Sequence, residues 1–212
     1  TLPLPRVDTA DIEINVPLRN AGDSSVNGVL TASFDNVVVK KQVTLPAGES
    51  VVRLLPAEFA ALRVQQPRLW WPNGYGAQKL YDLRLEFAVD AAVSDSKSLR
   101  FGVRHVTYEL SLLDEKGQLR RVAVNPSAAR VRGERLIDVR HKALKKSPRG
   151  WAASLYPGAL ESPAVQVLSD ESMTPHLVLV VNGVRIASRG GNWGMDDSRK
   201  RIQKERLEPY FK

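Results

Sequence analysis

Two short stretches of this 212-residue chain hold side chains suited to selective contact with a ligand. Residues 66–76 (QPRLWWPNGYG) set Trp70 and Trp71 side by side between two prolines. Paired indoles offer flat apolar faces that can stack on sugar rings, and the same faces can cap a sheet or pack on a neighbouring domain. Pro67 and Pro72 restrict the backbone and Asn73-Gly74 is a turn signal, so a fixed docking loop is the preferred reading and sugar stacking the alternative. Residues 190–197 (GGNWGMDD) bring together Asn192, Trp193, Asp196 and Asp197. A carboxylate accepts hydrogen bonds from hydroxyl groups, an amide donates and accepts, and an indole covers the C–H side of a sugar ring. On residue types alone the plainer reading comes first: Asp196 or Asp197 caps a following helix, and Trp193 belongs to the core.

Other chemistries find little support. Three scattered histidines, His105, His141 and His176, lack metal-ligand spacing, and the absence of cysteine excludes disulfides and thiolate-bound zinc. There is no Ser-His-Asp arrangement and no phosphate-binding loop, so no metal site and no cofactor is implied. Glu205 and Glu208 lie in a Lys/Arg-rich stretch, where solvent-facing ion pairs account for them.

The elements that must carry these residues read as strands. Residues 11–19 (DIEINVPLR) alternate Ile12, Ile14, Val16 and Leu18 with polar positions. Residues 29–34, 37–43 and 50–55 are further short, Val-rich candidates, residues 81–89 alternate again through Leu83, Leu85 and Phe87, and 98–104 complete the set. Short strands at this spacing predict an antiparallel β-sandwich over residues 1–105. A hairpin follows over 106–124. Residues 125–172 lack a steady period and read as an insertion of mostly irregular structure, with a short helix expected around 137–145. Residues 176–181, the turn Asn182-Gly183 and residues 184–188 predict a second hairpin, and Ile202, Leu207 and Phe211 mark the start of a helix in 198–212.

The formal charge of +8 is uneven: residues 1–104 carry 12 Lys and Arg against 11 Asp and Glu, the remainder 19 against 12. The densest run, residues 130–149 (RVRGERLIDVRHKALKKSPR), has few aromatic residues and matches no nucleic-acid motif, so a solvated face is expected and no nucleic-acid partner. No window approaches the roughly 18 apolar residues of a membrane span, and residues 1–6 lack the architecture of a signal peptide. No membrane partner is expected. A chain that opens on Thr1 is expected to be a processed product, which leaves the compartment open with a periplasmic or secreted setting slightly favoured.

Four stretches occur in a fixed order: LWWPNGYG (69–76), LYDLRLEF (80–87), LRFGVRHV (99–106) and VNGVRIASRGGNWGMDD (181–197). Together they resemble family 2 glycoside hydrolases of the β-mannosidase and exo-β-D-glucosaminidase type, in which an immunoglobulin-like β-sandwich with a W-W-P-N-G-like loop closes on an F-G-I/V-R strand and an N-G hairpin leads into a (β/α)8 barrel. The resemblance implies a mostly β fold: the sandwich, a connecting region over 106–183 with its insertion, and the start of a truncated barrel over 184–212. It also implies a retaining exo-glycosidase acting on terminal β-linked sugars, with Asn192, Trp193 and Asp197 contacting the substrate where residues 190–197 match a G-A-N-W-I-P-x-D motif. Gly194-Met195 stand where that motif has Ile-Pro. The family's two catalytic glutamates belong to later barrel strands, so the resemblance implies no catalytic residue here, a carbohydrate as the parent's substrate, and a jelly roll and barrel as missing parts of the same chain. Two rivals stand beside it: a freestanding sandwich module gripping carbohydrate or protein through Trp70, Trp71 and Trp151, and, last, a nucleic-acid adaptor using residues 130–149.

Overall fold

The computed structural model describes residues 2, 4, 6–147, 150–169, 177–188 and 204–210. Period-two alternation builds its first half: β1 (Thr9–Asp11), β2 (Ile14–Asn20), β3 (Val26–Phe34), β4 (Val37–Leu45), β5 (Gly48–Leu54), β6 (Arg63–Gln65), β7 (Tyr81–Val89) and β8 (Ala92–Phe101). These strands pair as β1 with β6, β2 with β5, and an antiparallel sheet in the order β4-β3-β7-β8. In β7 the side chains of Leu83, Leu85 and Phe87 are buried while Asp82 and Arg84 face water. Ile14, Val16, Val52 and Leu54 from the β2–β5 pair share one core with Leu30, Ala32, Phe34 and Val39 from the larger sheet. The molecule is mostly β, and this half is the sandwich that the alternation predicts. Phe34 meets Tyr81 and Phe101 edge-on at 5.8 and 5.3 Å, closing one end of the core.

Two positions in this sandwich have particular consequences. Gly28 in β3 lies under the Phe87 ring, where an added Cβ would stand 2.4 Å from Phe87 Cζ and 2.6 Å from the Ala88 carbonyl oxygen. At the rim, β8 pairs among the described residues with β7 alone, and its register sets Asp95 opposite Phe87 and Lys97 opposite Leu85. Paired residues share a face, so both charges project toward the inner side. There they line, with Asn15, Val16, Pro17 and Leu18 of β2, a groove of about 200 Å³.

The second half is organised around the hairpin of β9 (Val106–Leu113) and β10 (Leu119–Val124). Next come α1 (Pro126–Arg132), β11 (Ile137–Asp138), β12 (Lys145–Ser147), β13 (Gly150–Ala152), β14 (Ser154–Leu155), β15 (Val165–Val167), β16 (Leu177–Val181) and β17 (Val184–Ile186). β15 extends the sheet beside β10, β16 pairs with β9 and carries β17, and β14 reaches β9 through a parallel Ser154–Leu113 bridge and holds β11. Leu112, Val122 and Val124 of this sheet form a second core with Ala129 of α1, Leu136, Leu155 and Val165.

The expected helix at 137–145 is absent. That stretch holds β11, a single 3-10 turn at His141–Ala143 and the first residue of β12. The helix stands earlier, at α1, because Asn125 caps it by accepting from the Ala128 N–H at 3.0 Å, Pro126 occupies its first turn, and Gly133 ends it at φ +68°. Residues 125–172, expected to be mostly irregular, thus contribute α1 and β11 to β15 among the described residues. Near the C-terminus a short helix, α2 (Lys204–Leu207), runs into a 3-10 turn at Glu208–Tyr210.

Candidate functional site

The sandwich and the second sheet meet where the 66–76 loop crosses the β16–β17 turn. Arg68 fixes the loop's entry. Its backbone N–H donates to Tyr81 Oη at 2.6 Å, its guanidinium lies 4.5 Å from the Tyr81 ring centroid, and it pairs with Asp35. The Trp70 N–H then donates to the Val103 carbonyl at 2.9 Å. Beside the half-buried Trp70 indole, the Arg104 guanidinium stands 4.4 Å from the ring centroid, and a Cβ at Gly102 would come within 3.0 Å of Trp70 Cβ. Trp71, also half-buried, donates its N–H to the Ala77 carbonyl at 3.1 Å. Tyr75 N–H closes a turn onto the Pro72 carbonyl, with Gly74 at φ +83° supplying the left-handed residue. The loop ends on the other sheet, where Tyr75 Oη accepts from the Ala187 N–H at 2.6 Å.

Asn182 is the central fastening. With Gly183 at φ +82° and itself at φ +50°, it forms the two-residue turn between β16 and β17, with the paired positive φ values of a type I′ hairpin. Its buried side chain faces two ways: Oδ1 accepts from the His105 N–H at 2.8 Å, and Nδ2 donates to the Trp70 carbonyl at 3.0 Å. Its own N–H donates to the His105 carbonyl. His105 continues the chain of bonds, since its Nε2 lies 3.0 Å from Nδ2 of Asn125, the residue that caps α1. The amide donates there, so the ring accepts at Nε2 and is neutral. Burial pushes the His105 imidazole below its ordinary value. A continuous hydrogen-bonded path therefore links the tryptophan loop, the β16–β17 turn, His105 and the start of α1.

Charged groups tie the strands of the second sheet to one another. Glu109 accepts from the buried Arg121 at 3.3 Å and from Arg185 of β17 at 3.0 Å, and Arg121 also donates to Ser111. Burial alone would raise the Asp114 carboxyl, but Arg120 and the backbone N–H groups of Gln118 and Lys116 outweigh it and hold it below the usual range. Hydrogen bonding from Arg140 holds Asp138 down to about 2. A general acid needs the opposite, a carboxyl held protonated near neutral pH, so neither Asp114 nor Asp138 suits that role.

Of the residues that the sequence marks for ligand contact, Trp70 and Trp71 lie in this joint. Asn192, Trp193 and Asp197 lie outside the described residues. In the sequence Asn182 reads only as a turn former; its side-chain partners stand 77 and 112 residues away in the chain, beyond any local pattern. The one local signal was the Asn-Gly pair itself.

Comparison with known proteins bears on the sandwich and the loop. Residues 4–104 match the family model described as glycosyl hydrolases family 2. This sandwich belongs to that family. The exo-beta-D-glucosaminidase of Streptomyces avermitilis is 34% identical over 111 residues, covering 52% of this chain and 12% of that protein. Beta-mannosidase B of Aspergillus terreus is 46% identical over 86 residues, covering 38% of this chain and 10% of its own length. A solved structure, that of the Amycolatopsis orientalis exo-chitosanase CsxA, is 26% identical, covers 55% of this chain and 13% of that one, and superposes with a TM-score of 0.42. The chain thus spans about an eighth of the family 2 relatives it matches.

Proposed function

We propose that this chain is a non-catalytic part of a retaining family 2 exo-glycosidase that releases terminal β-linked sugars, a β-mannoside or a β-glucosaminide. The observation that carries the reading is the match of residues 4–104 to family 2 together with relatives named exo-beta-D-glucosaminidase and beta-mannosidase. On this reading the parent works by double displacement: a carboxylate forms a covalent glycosyl intermediate and a second carboxyl group acts as acid and then base. Neither carboxylate belongs to this chain. Residues 184–212 begin a (β/α)8 barrel, and Asn192, Trp193 and Asp197 form one wall of the terminal sugar subsite by their chemistry, an indole face framed by an amide and a carboxylate. The sandwich serves as scaffold, with Trp70, Tyr75 and Asn182 fixing its angle to the sheet that leads toward residues 189–197.

The test is hydrolysis of p-nitrophenyl β-mannoside, β-glucosaminide and β-galactoside by this chain, run beside the full-length gene product. Turnover by the full-length protein alone is the expected result, and the preferred substrate names the sugar. Turnover by the chain itself overturns the scaffold reading; inactivity of both overturns the glycosidase reading.

A further inference from the structure

We infer that the β12–β13 hairpin and its flanks are a docking surface for an acidic polysaccharide. Residues 130–147 carry seven Lys and Arg against two acidic side chains, a local excess of +5 within a chain of +8. The two acids are already engaged, Glu134 with Arg132 and Asp138 with Arg140. Arg130, Arg135, Lys142, Lys145 and Lys146 are exposed and make no ion pair among the described residues. Cations left unneutralised in one short stretch raise the local concentration of a polyanion.

A second observation selects the kind of polyanion. Trp151 is 69% exposed, an unusual place for an indole, and the register sets it directly opposite Lys146. Cross-strand partners project from one face, so an ammonium and an open indole stand side by side. A pyranose ring resting its C–H face on the indole brings a carboxylate or sulfate on that ring, or on the next one, within reach of the lysine. Nucleic-acid platforms use several aromatic residues in series along a groove. Here, among the described residues, one exposed indole stands opposite Lys146, and the remaining aromatic ring of the stretch, Tyr156, lies 5.9 Å from the Arg140 guanidinium rather than in series with it. The choice of a polysaccharide over other polyanions rests on the glycosidase reading above, and it narrows that reading to its β-mannoside alternative: the polymer whose end the parent trims carries acidic sugars beside the terminal β-mannoside. A polycation such as a glucosamine polymer is repelled by this surface.

The test is binding of hexagalacturonate, chitosan hexamer and a DNA duplex to the 212-residue chain, measured by calorimetry at low and physiological salt. Hexagalacturonate is expected to bind with salt-sensitive affinity and chitosan hexamer is not. Trp151→Ala is expected to weaken that binding roughly tenfold and Lys146→Gln about fivefold. Both side chains are exposed, so both variants keep the fold, which circular dichroism checks. Chitosan binding as tight as hexagalacturonate, or DNA binding tighter than hexagalacturonate and unmoved by Trp151→Ala, overturns the proposal, as does no binding of the acidic oligosaccharide. Hydrolysis by the full-length protein is a separate measurement, so loss of the glycosidase reading and loss of this surface remain distinguishable.

Discussion

Replacing Asn182 by alanine removes both side-chain bonds at the joint while the backbone N–H to His105 stays in place. The His105 N–H and the Trp70 carbonyl each lose a partner, at about 1 to 2 kcal/mol apiece. Alanine must also hold φ +50°, a conformation that asparagine tolerates and alanine resists by about 1 kcal/mol. The sum is about 4 kcal/mol, a large share of the roughly 5 to 15 kcal/mol that holds a typical domain. Asn182→Gly removes the same bonds without the backbone strain and is expected to cost about 1 kcal/mol less. Urea unfolding followed by tryptophan emission gives the two values, and amide exchange at His105 reports whether the joint opens locally. A loss below about 1 kcal/mol in the alanine variant, with His105 exchange unchanged, would refute the reasoning, because two buried bonds cannot vanish at so small a cost.

Two further perturbations probe the frame. His105 is depressed below its ordinary value, so as pH falls the unfolded chain takes up the proton first; the stability it contributes is full above about pH 6.5 and is lost as pH falls through its folded value. Urea midpoints from pH 7.5 to 5 should therefore decline in the native protein and flatten in His105→Gln; equal slopes would deny that the ring is buried neutral. Gly28→Ala places a methyl group 2.6 Å from the backbone oxygen of Ala88, which cannot swing aside as a side chain does, and is expected to cost about 3 kcal/mol in thermal or urea unfolding.

Much of the sandwich was legible because one face of each strand is buried. Leu83, Leu85 and Phe87 alternate with Asp82, Arg84 and Glu86, and the alternation became β7 over the expected residues. Where burial fails, so does the signal: β8 begins at Ala92, ahead of the expected 98, because Ser94, Asp95, Ser96 and Lys97 are exposed and no apolar period marks them. The second sheet hid for another reason. β11 and β14 are two residues long and gain their place from partners distant in sequence, which no local period can announce. The helix that stands in place of the expected one is signalled by Asn125-Pro126 at its start and Gly133 at its end, whereas Ile137, at the start of the stretch expected to be helical, belongs to β11. The joint was half legible: Trp70-Trp71 stood out by composition, whereas Asn182 joins them only through contacts made across the folded chain.

The rim strand β8 offers ten residues of backbone with one side unpaired among the described residues, the kind of edge along which proteins zip into ribbons. Asp95 and Lys97 aim their charges toward the side where a newcomer would have to continue the greasy layer. Any strand that annealed there would strand two ions away from water, so the edge refuses company that its length invites. A building block guarded in this way can be joined to other modules in a long polypeptide with this rim shielded from strand pairing.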